Sequence, residues 1–290
     1  MVVLPFVCAN AALETLHWAV QKPSVALWAL GLSAILGAIT FSVRAATPAA
    51  AATGAAITAS LMYATSTFDY EPWRTAVVPV AAVFLLAFGA TRVGRARKER
   101  LRIAERRTGR NAAQVAANLG AAGLVSCAMT QAWAGSFSTG NFWTGKFWDT
   151  AAGWVLHSGG SRFALFTLAL AALAEAAADT VSSELGKVLG ECPRMITTLR
   201  TVAPGTDGAV SLAGTVAGVL AAGVVAAAGT AAVGGGPAMF VISTAGGIFG
   251  LLFDSVLGAT LERRGMLNND AVNFLSTLSA AVVAYALAMR

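Results

Sequence analysis

Charge is scarce in this chain. Only 12% of its 290 residues are Asp, Glu, Lys or Arg, about half of the roughly 25% usual in a soluble domain. With 57% hydrophobic residues and a mean hydropathy of +0.68, the composition is that of a polytopic membrane protein. Histidine is almost absent, with only His17 and His157, so a histidine-built metal centre is not expected. Cysteine is limited to Cys8, Cys127 and Cys192. None stands at metal-ligand spacing, so neither a disulfide framework nor a zinc site is expected. No Ser-His-Asp set, Walker-type phosphate loop or Rossmann glycine fingerprint occurs, and Gly234-Gly235-Gly236 reads as a turn between two spans. The N-terminus lacks a basic region ahead of its apolar stretch, so no cleavable signal is expected. The net charge of +6 sits in short loops, which argues for membrane topology and anionic phosphate ligands and against nucleic acid.

What the chain has instead is a series of apolar segments. A membrane span needs about 20 residues, and segments of that length fall at 24–43, 47–65, 75–91, 111–133, 162–185, 209–233, 237–259 and 270–289. Residues 2–20 form a further candidate, weakened by Glu14 and His17. The expected fold is all-α: a polytopic transmembrane helix bundle of about 7–9 spans, in one integral membrane domain over residues 1–290. Many segments are rich in Ala and Gly rather than Leu, and small residues let helix backbones approach closely. The 92–110 loop holds nine basic residues, Arg92 through Arg110, so it is expected on the cytoplasmic side. Counting spans from it puts 186–208 and 260–269 on the same side, and 66–74 and 134–161 outside. The outer 134–161 loop is rich in aromatic residues (Phe142, Trp143, Phe147, Trp148, Trp154), as an interfacial belt would be. Every polar motif then gathers at the cytoplasmic face. An Ala-rich composition of this kind fits a GC-rich prokaryotic genome, and hence a plasma membrane.

Five motifs carry polar chemistry. Ala178-Asp179-Thr180-Val181-Ser182-Ser183-Glu184-Leu185-Gly186 closes an apolar run. A carboxylate at membrane depth is costly unless it has a cation or a functional partner. Asp179 and Ser183 share a helix face at i,i+4, and carboxylate and hydroxyl oxygens suit Mg2+, which also keeps waters or substrate phosphates in its shell. Hydrogen bonding between packed helices is the alternative. The second motif, Pro193 to Ser211, combines Arg194, Thr197, Thr198 and Arg200 with a Pro204-Gly205-Thr206-Asp207-Gly208 turn before a helix. Arginine forks onto phosphate, and glycine lets backbone N–H groups approach an anion, although such turns are also common structural features. Third, Asp254 lies at a depth like that of Asp179, so the two could share one metal, or Asp254 could serve helix packing. Fourth, in Leu267-Asn268-Asn269-Asp270, capping of the last helix and ligand binding both remain open. Fifth, Asn111, Gln114 and Asn118 form a polar stripe after Arg110, and such a stripe must face the bundle interior or a cavity.

Together these motifs, in order from Gly109-Arg110-Asn111-Ala112-Ala113-Gln114 to Leu267-Asn268-Asn269-Asp270-Ala271-Val272-Asn273-Phe274, resemble an integral membrane family. That family, of domain-of-unknown-function type 92, contains transmembrane protein 19 and the chloroplast phytyl-phosphate kinase of vitamin E synthesis. The resemblance runs from about residue 40 to the end. It is weakest near Arg44 and Thr47, where an early Lys-x-Thr-x-x-Gly element is loosely kept and Pro48 intrudes. It implies phosphoryl transfer from a nucleoside triphosphate, with CTP the implied donor, to an isoprenyl monophosphate such as phytyl or geranylgeranyl phosphate. On this reading Asp179, Glu184 and Asp254 are catalytic, and Asp179, Asp254 and Asp270 are the Mg2+ candidates. Arg110, Lys187, Arg194 and Arg200 neutralise phosphates. Ser183, Thr197, Thr198, Gly205, Thr206 and Gly208 cradle them, while Asn111, Gln114, Asn118 and Asn269 orient a headgroup or base. A lipid cytidylyltransferase and a transporter or flippase of anionic lipids are the competing expectations.

Overall fold

The computed structural model describes residues 3–67, 69–104, 108–127, 159–190 and 192–290. Nearly all of the expected external loop 134–161, together with Arg106 and Arg107 of the basic loop, lies outside them. The described chain is almost wholly helical: α1 (Val3–Gln21), α2 (Pro23–Ser42), α3 (Pro48–Thr65), α4 (Val77–Arg92), α5 (Arg95–Arg100), α6 (Ala112–Ser126), α7 (Gly159–Leu189), α8 (Leu212–Val233), α9 (Pro237–Leu257) and α10 (Asn269–Ala288). Local sequence sets most of their ends. Proline opens α2, α3 and α9, where its missing N–H costs nothing and its fixed φ already suits the helix. Thr47, Asn111, Ser211 and Asn268 each accept a backbone N–H as the N-caps of α3, α6, α8 and α10. Gly234 ends α8 in the left-handed region.

Among the described residues, six helices are long and apolar enough to cross a membrane: α1, α2, α7, α8, α9 (with the turn that follows it) and α10. The segment 2–20 is thus one of them. Its acidic residue is accommodated by pairing, since Glu14 is buried and accepts from the Trp18 indole at 3.2 Å. Helices α4 and α6 are apolar but shorter, at 16 and 15 residues.

Helix α7 is the axis of the bundle. It packs against α3, α4, α6, α8, α9 and α10, and 83% of its apolar stretch is buried, against 22% to 39% in the other five long helices. Its sequence explains this. Ala169, Ala171, Ala172, Ala174, Ala177 and Ala178 are all fully buried, and such small side chains let neighbouring backbones close in on every side. Glycines on the partners complete the fit: a Cβ on Gly218 of α8 would stand 2.8 Å from the Ala178 carbonyl, and one on Gly247 of α9 would stand 2.9 Å from the Ala174 Cβ.

Two local departures from helix matter for the site. Helix α7 continues to Leu189, into the stretch expected as loop, because Glu184 and Lys187 pair along its last turns. The 192–211 segment then folds over the bundle end as a small antiparallel ribbon, with Arg194–Met195 paired to Ala209–Val210. After α9 the helix widens into a π-turn, Gly258–Glu262, a distortion often found at functional sites.

Candidate active site

At one end of α7, a polar cavity of about 250 Å3 lies between α6, α7, α9, α10 and the 193–211 segment. Its acids come from separate elements. Asp179 projects from α7 and Asp254 from α9, the π-turn adds Glu262, and Asp207 lies in the Gly205–Gly208 turn. Arg110 and Lys187 are the cations facing Asp179. The Arg110 guanidinium donates to the Thr180 hydroxyl at 3.1 Å, which aims it across the first turn of the motif. The loop carrying Arg110 is pinned in turn. Its backbone N–H donates to the Ala45 carbonyl at 2.9 Å, and Thr47 donates back to the Arg110 carbonyl at 3.0 Å. The Arg44–Thr47 region, where the family element is loosely kept, is therefore the buttress for Arg110.

Glu184 lines the same cavity but has both oxygens occupied. Its Oε2 accepts from Lys98 Nζ at 2.7 Å and its Oε1 from Lys187 Nζ at 2.8 Å. Lys98 is fully buried and also donates to the carbonyls of Ala90 at 2.9 Å and Thr91 at 3.2 Å. Two neighbouring contacts fix α5 on the end of α7: Arg97 donates to the Val188 carbonyl at 2.9 Å, and Gly94 packs on the Val188 side chain. The basic loop is therefore partly a folded component of the site. Sequence reasoning missed Lys98, one of nine cations in that loop, because nothing local distinguishes it from its solvated neighbours.

A second missed residue is Glu175, one helical turn before Asp179 on the face that the i,i+4 argument already used. It is buried, and its Oε1 has no hydrogen-bond partner; nor does Asp254 Oδ2. Ser276 of α10 stands against both carboxyl groups. A buried carboxyl group without a partner is stable when protonated or when beside a cation, and of Glu175 and Asp254 it is Asp254 that lines the cavity.

The Gly205–Gly208 turn is held by shape. Gly208 has φ +73°, and a Cβ there would stand 2.3 Å from the Ala259 backbone nitrogen, so the turn seats directly on the π-turn. Gly205, with φ +83°, and Thr206 line the cavity beside it, together with Gln114, Asn118, Ser183, Asn269 and Asn273. Part of the polar stripe is spent on local structure: Asn111 and Gln114 form a reciprocal capping box at 2.9 Å in both directions. Asn118 accepts from Asn273 at 3.4 Å, linking α6 to α10. Among the sequence candidates, Asn111, Arg194, Thr197, Thr198, Arg200 and Asp270 do not line the cavity. Thr197, Thr198 and Arg200 sit exposed on the turn of the ribbon, Asp270 lies in the first turn of α10, and Asn268 supplies that helix's cap.

Acids outnumber bases around the cavity, and Glu184 is already neutralised by its lysines. Among the described residues no three His, Cys, Asp or Glu side chains are placed to enclose a metal ion. Asp179 and Asp254 nevertheless fit Mg2+ as a donor set, being hard oxygen ligands with an orphaned oxygen among them. Mg2+ commonly takes one or two protein carboxylates and completes its shell with water and substrate phosphate.

An uncharacterized membrane protein of Methanocaldococcus jannaschii is 44% identical to the chain over 114 residues, 39% of this chain and 48% of that protein. The chloroplast protein VTE6 of Arabidopsis thaliana is 31% identical over 210 residues, 71% of this chain and 56% of VTE6. The chain thus spans about half the length of these two relatives. An uncharacterized membrane protein of Synechocystis is 32% identical over 222 residues, 73% of each chain. No solved structure matches. The matched family spans residues 31–281, which take in every residue of the cavity and of α7; the protein belongs to the integral membrane protein family DUF92.

Proposed function

We propose that the protein transfers the terminal phosphoryl group of a nucleoside triphosphate, CTP, to an isoprenyl monophosphate at the cytoplasmic face of a prokaryotic plasma membrane. The observation that carries this reading is the meeting of Asp179 and Asp254, from two helices, with Arg110, Lys187 and a glycine turn around one cavity at the end of the bundle. The resemblance to phytyl-phosphate kinase and the similarity to VTE6 support a prenyl-phosphate substrate.

An oxygen of the lipid monophosphate attacks the terminal phosphorus of CTP. The new P–O bond forms as the bond to the β-phosphate oxygen breaks, and CDP leaves with that electron pair. The attacking group is already anionic, so no side chain has to remove a proton. Catalysis is then alignment and charge neutralisation. Arg110, held by Thr180, and Lys187, held by Glu184, neutralise the incoming phosphates. The Gly205–Gly208 turn brings backbone close to them, and Asn118 and Asn273 fix α6 against α10 so that the cavity keeps its width. Asp179 and Asp254 would hold Mg2+, which would supply positive charge to offset that of the phosphates.

The test is purified protein in lipid with Mg2+, phytyl or geranylgeranyl monophosphate, and CTP, ATP, GTP or UTP in turn. Lipid diphosphate with CDP is the expected product pair. Pyrophosphate with a nucleotide-linked lipid would instead assign a cytidylyltransferase. Absence of turnover over several chain lengths would overturn the enzyme reading in favour of lipid transport.

A further inference from the structure

A second cavity, of about 150 Å3, adjoins the first. Its character is opposite. Its walls are mainly apolar, and include Leu36 and Gly37 of α2, Ala51 and Gly54 of α3, and Val83, Phe84, Ala87 and Phe88 of α4. Leu36, Phe84 and Phe88 are partly exposed, so the cleft opens on the apolar outer surface of the bundle. Its rim is cationic, formed by Arg44, Arg92 and Arg95. Arg92 lies 4.0 Å from the Phe88 ring centre and donates to the Val43 carbonyl at 3.1 Å. Its guanidinium is thereby fixed at the point where the aromatic wall ends. Arg44 is exposed and forms no ion pair with a carboxylate among the described residues, while Arg95 pairs with Glu99 at 3.1 Å. The two cavities share Arg110 and Asn118, which line both.

An apolar cleft that opens on the membrane side, ends in arginines and runs into a phosphate-handling cavity fits one occupant: a lipid with a single chain and a monophosphate head. The chain would pass into the cleft from the bilayer, held there by van der Waals packing against the apolar walls rather than by release from water. The head would meet guanidinium groups able to fork two hydrogen bonds onto phosphate. Arg110 stands where that head would pass from one cavity to the other. We propose that the α2–α3–α4–α6 cleft is the binding site for the chain of the acceptor lipid, with Arg44 and Arg92 capturing its phosphate and Arg110 handing it to the Asp179–Asp254 cavity. The proposal rests on the phosphoryl-transfer reading for the identity of the lipid, and on the shared wall for its route.

The cleft also has a built-in steric control. A Cβ on Gly54 would meet only Val115, at 3.7 Å, which is ordinary contact. Alanine there leaves the cleft open, whereas a leucine extends between α3 and α6 into the space the chain would use.

The experiment measures binding without turnover. Full-length protein in phosphatidylcholine nanodiscs, without nucleotide, is irradiated with a 20-carbon alkyl monophosphate bearing a terminal diazirine, and adducts are mapped by peptide mass spectrometry. Adducts are expected in peptides covering 36–55 and 80–88. Arg44→Gln with Arg92→Gln is expected to lower labelling about tenfold at subsaturating probe. Gly54→Leu is expected to abolish the 36–55 adducts while Gly54→Ala retains them. Adducts confined to α8 or the outer face of α9 would overturn the proposal. So would equal labelling by the corresponding alcohol, or equal competition by two-chain phosphatidic acid, since either makes the cleft a general lipid contact. The transfer assay separates the two readings: labelling in the cleft without transfer removes the kinase and keeps the cleft, and transfer with adducts elsewhere does the reverse.

Discussion

At the scale of single residues, the site separates charges that bind from charges that hold. Asp179 faces Arg110 and Lys187 across open cavity, so on the proposed function its loss is expected to remove activity more than structure. Asp179→Asn is expected to lower kcat by at least about a hundredfold, as removal of a major electrostatic group does, with a thermal midpoint in detergent close to that of the parent. Glu184 is the opposite case. Both of its oxygens bind lysines, and one of these, Lys98, is fully buried. Glu184→Ala would strand that ammonium group at a cost of about 3–5 kcal/mol, whereas replacing a whole buried pair with apolar residues is often close to neutral. The double variant Lys98→Met, Glu184→Leu should therefore recover most of the thermal stability that Glu184→Ala loses. A double variant as unstable as the single one would show that the pair is not what makes this corner costly to alter.

At the scale of elements, the turn that leads into the second strand of the ribbon depends on one backbone conformation. Gly208→Ala places a Cβ against the Ala259 backbone at a positive φ. It should cost on the order of 1–3 kcal/mol and shift the Gly205–Thr206 wall, which a rise in KM for the nucleotide alongside a lowered thermal midpoint would report. Most elements could be read from the sequence: apolar run lengths, Pro23, Pro48 and Pro237 at helix starts, and Ser211 and Asn268 at caps are local signals with local causes. Twelve of the site candidates line the cavity, eight of them on helices that the same periodicity locates and four, Arg110, Gly205, Thr206 and Gly208, on the segments between helices. What the sequence hid is non-local. Lys98 reaches Glu184 across 86 residues. The α2–α3–α4–α6 cleft exists only once four helices are assembled, and the π-turn after α9 shows no break in its apolar pattern. Thr197, Thr198 and Arg200 misled for the complementary reason: their chemistry suits phosphate, but the ribbon that carries them turns them outward. Glu175 was legible and overlooked, since it stands at i−4 from Asp179.

At the scale of the whole molecule, the expected orientation makes a prediction independent of catalysis. Cys192 is exposed beside the ribbon and Cys127 is buried, so with Cys8 replaced by Ser, Cys192 remains the exposed thiol among them. A membrane-impermeant maleimide should leave that variant unlabelled on intact cells and label it in inverted vesicles. Labelling on intact cells would reverse the topology and place the cavity outside.

The enclosure of α7 also has a bearing on how the protein is made. Its acidic residues leave the ribosome before α8, α9 and α10, the helices that later surround them. During that interval Glu175 and Asp179 have neither Asp254 nor Ser276 beside them, and lipid offers a carboxylate nothing. The nascent helix is therefore expected to stay at the insertion machinery or against α3, α4 and α6 until α9 and α10 bring Asp254 and Ser276 to it. Chains stopped before Asn269 lack Ser276 and are accordingly expected to be degraded faster than the parent, which a pulse-chase of the truncated and intact chains checks.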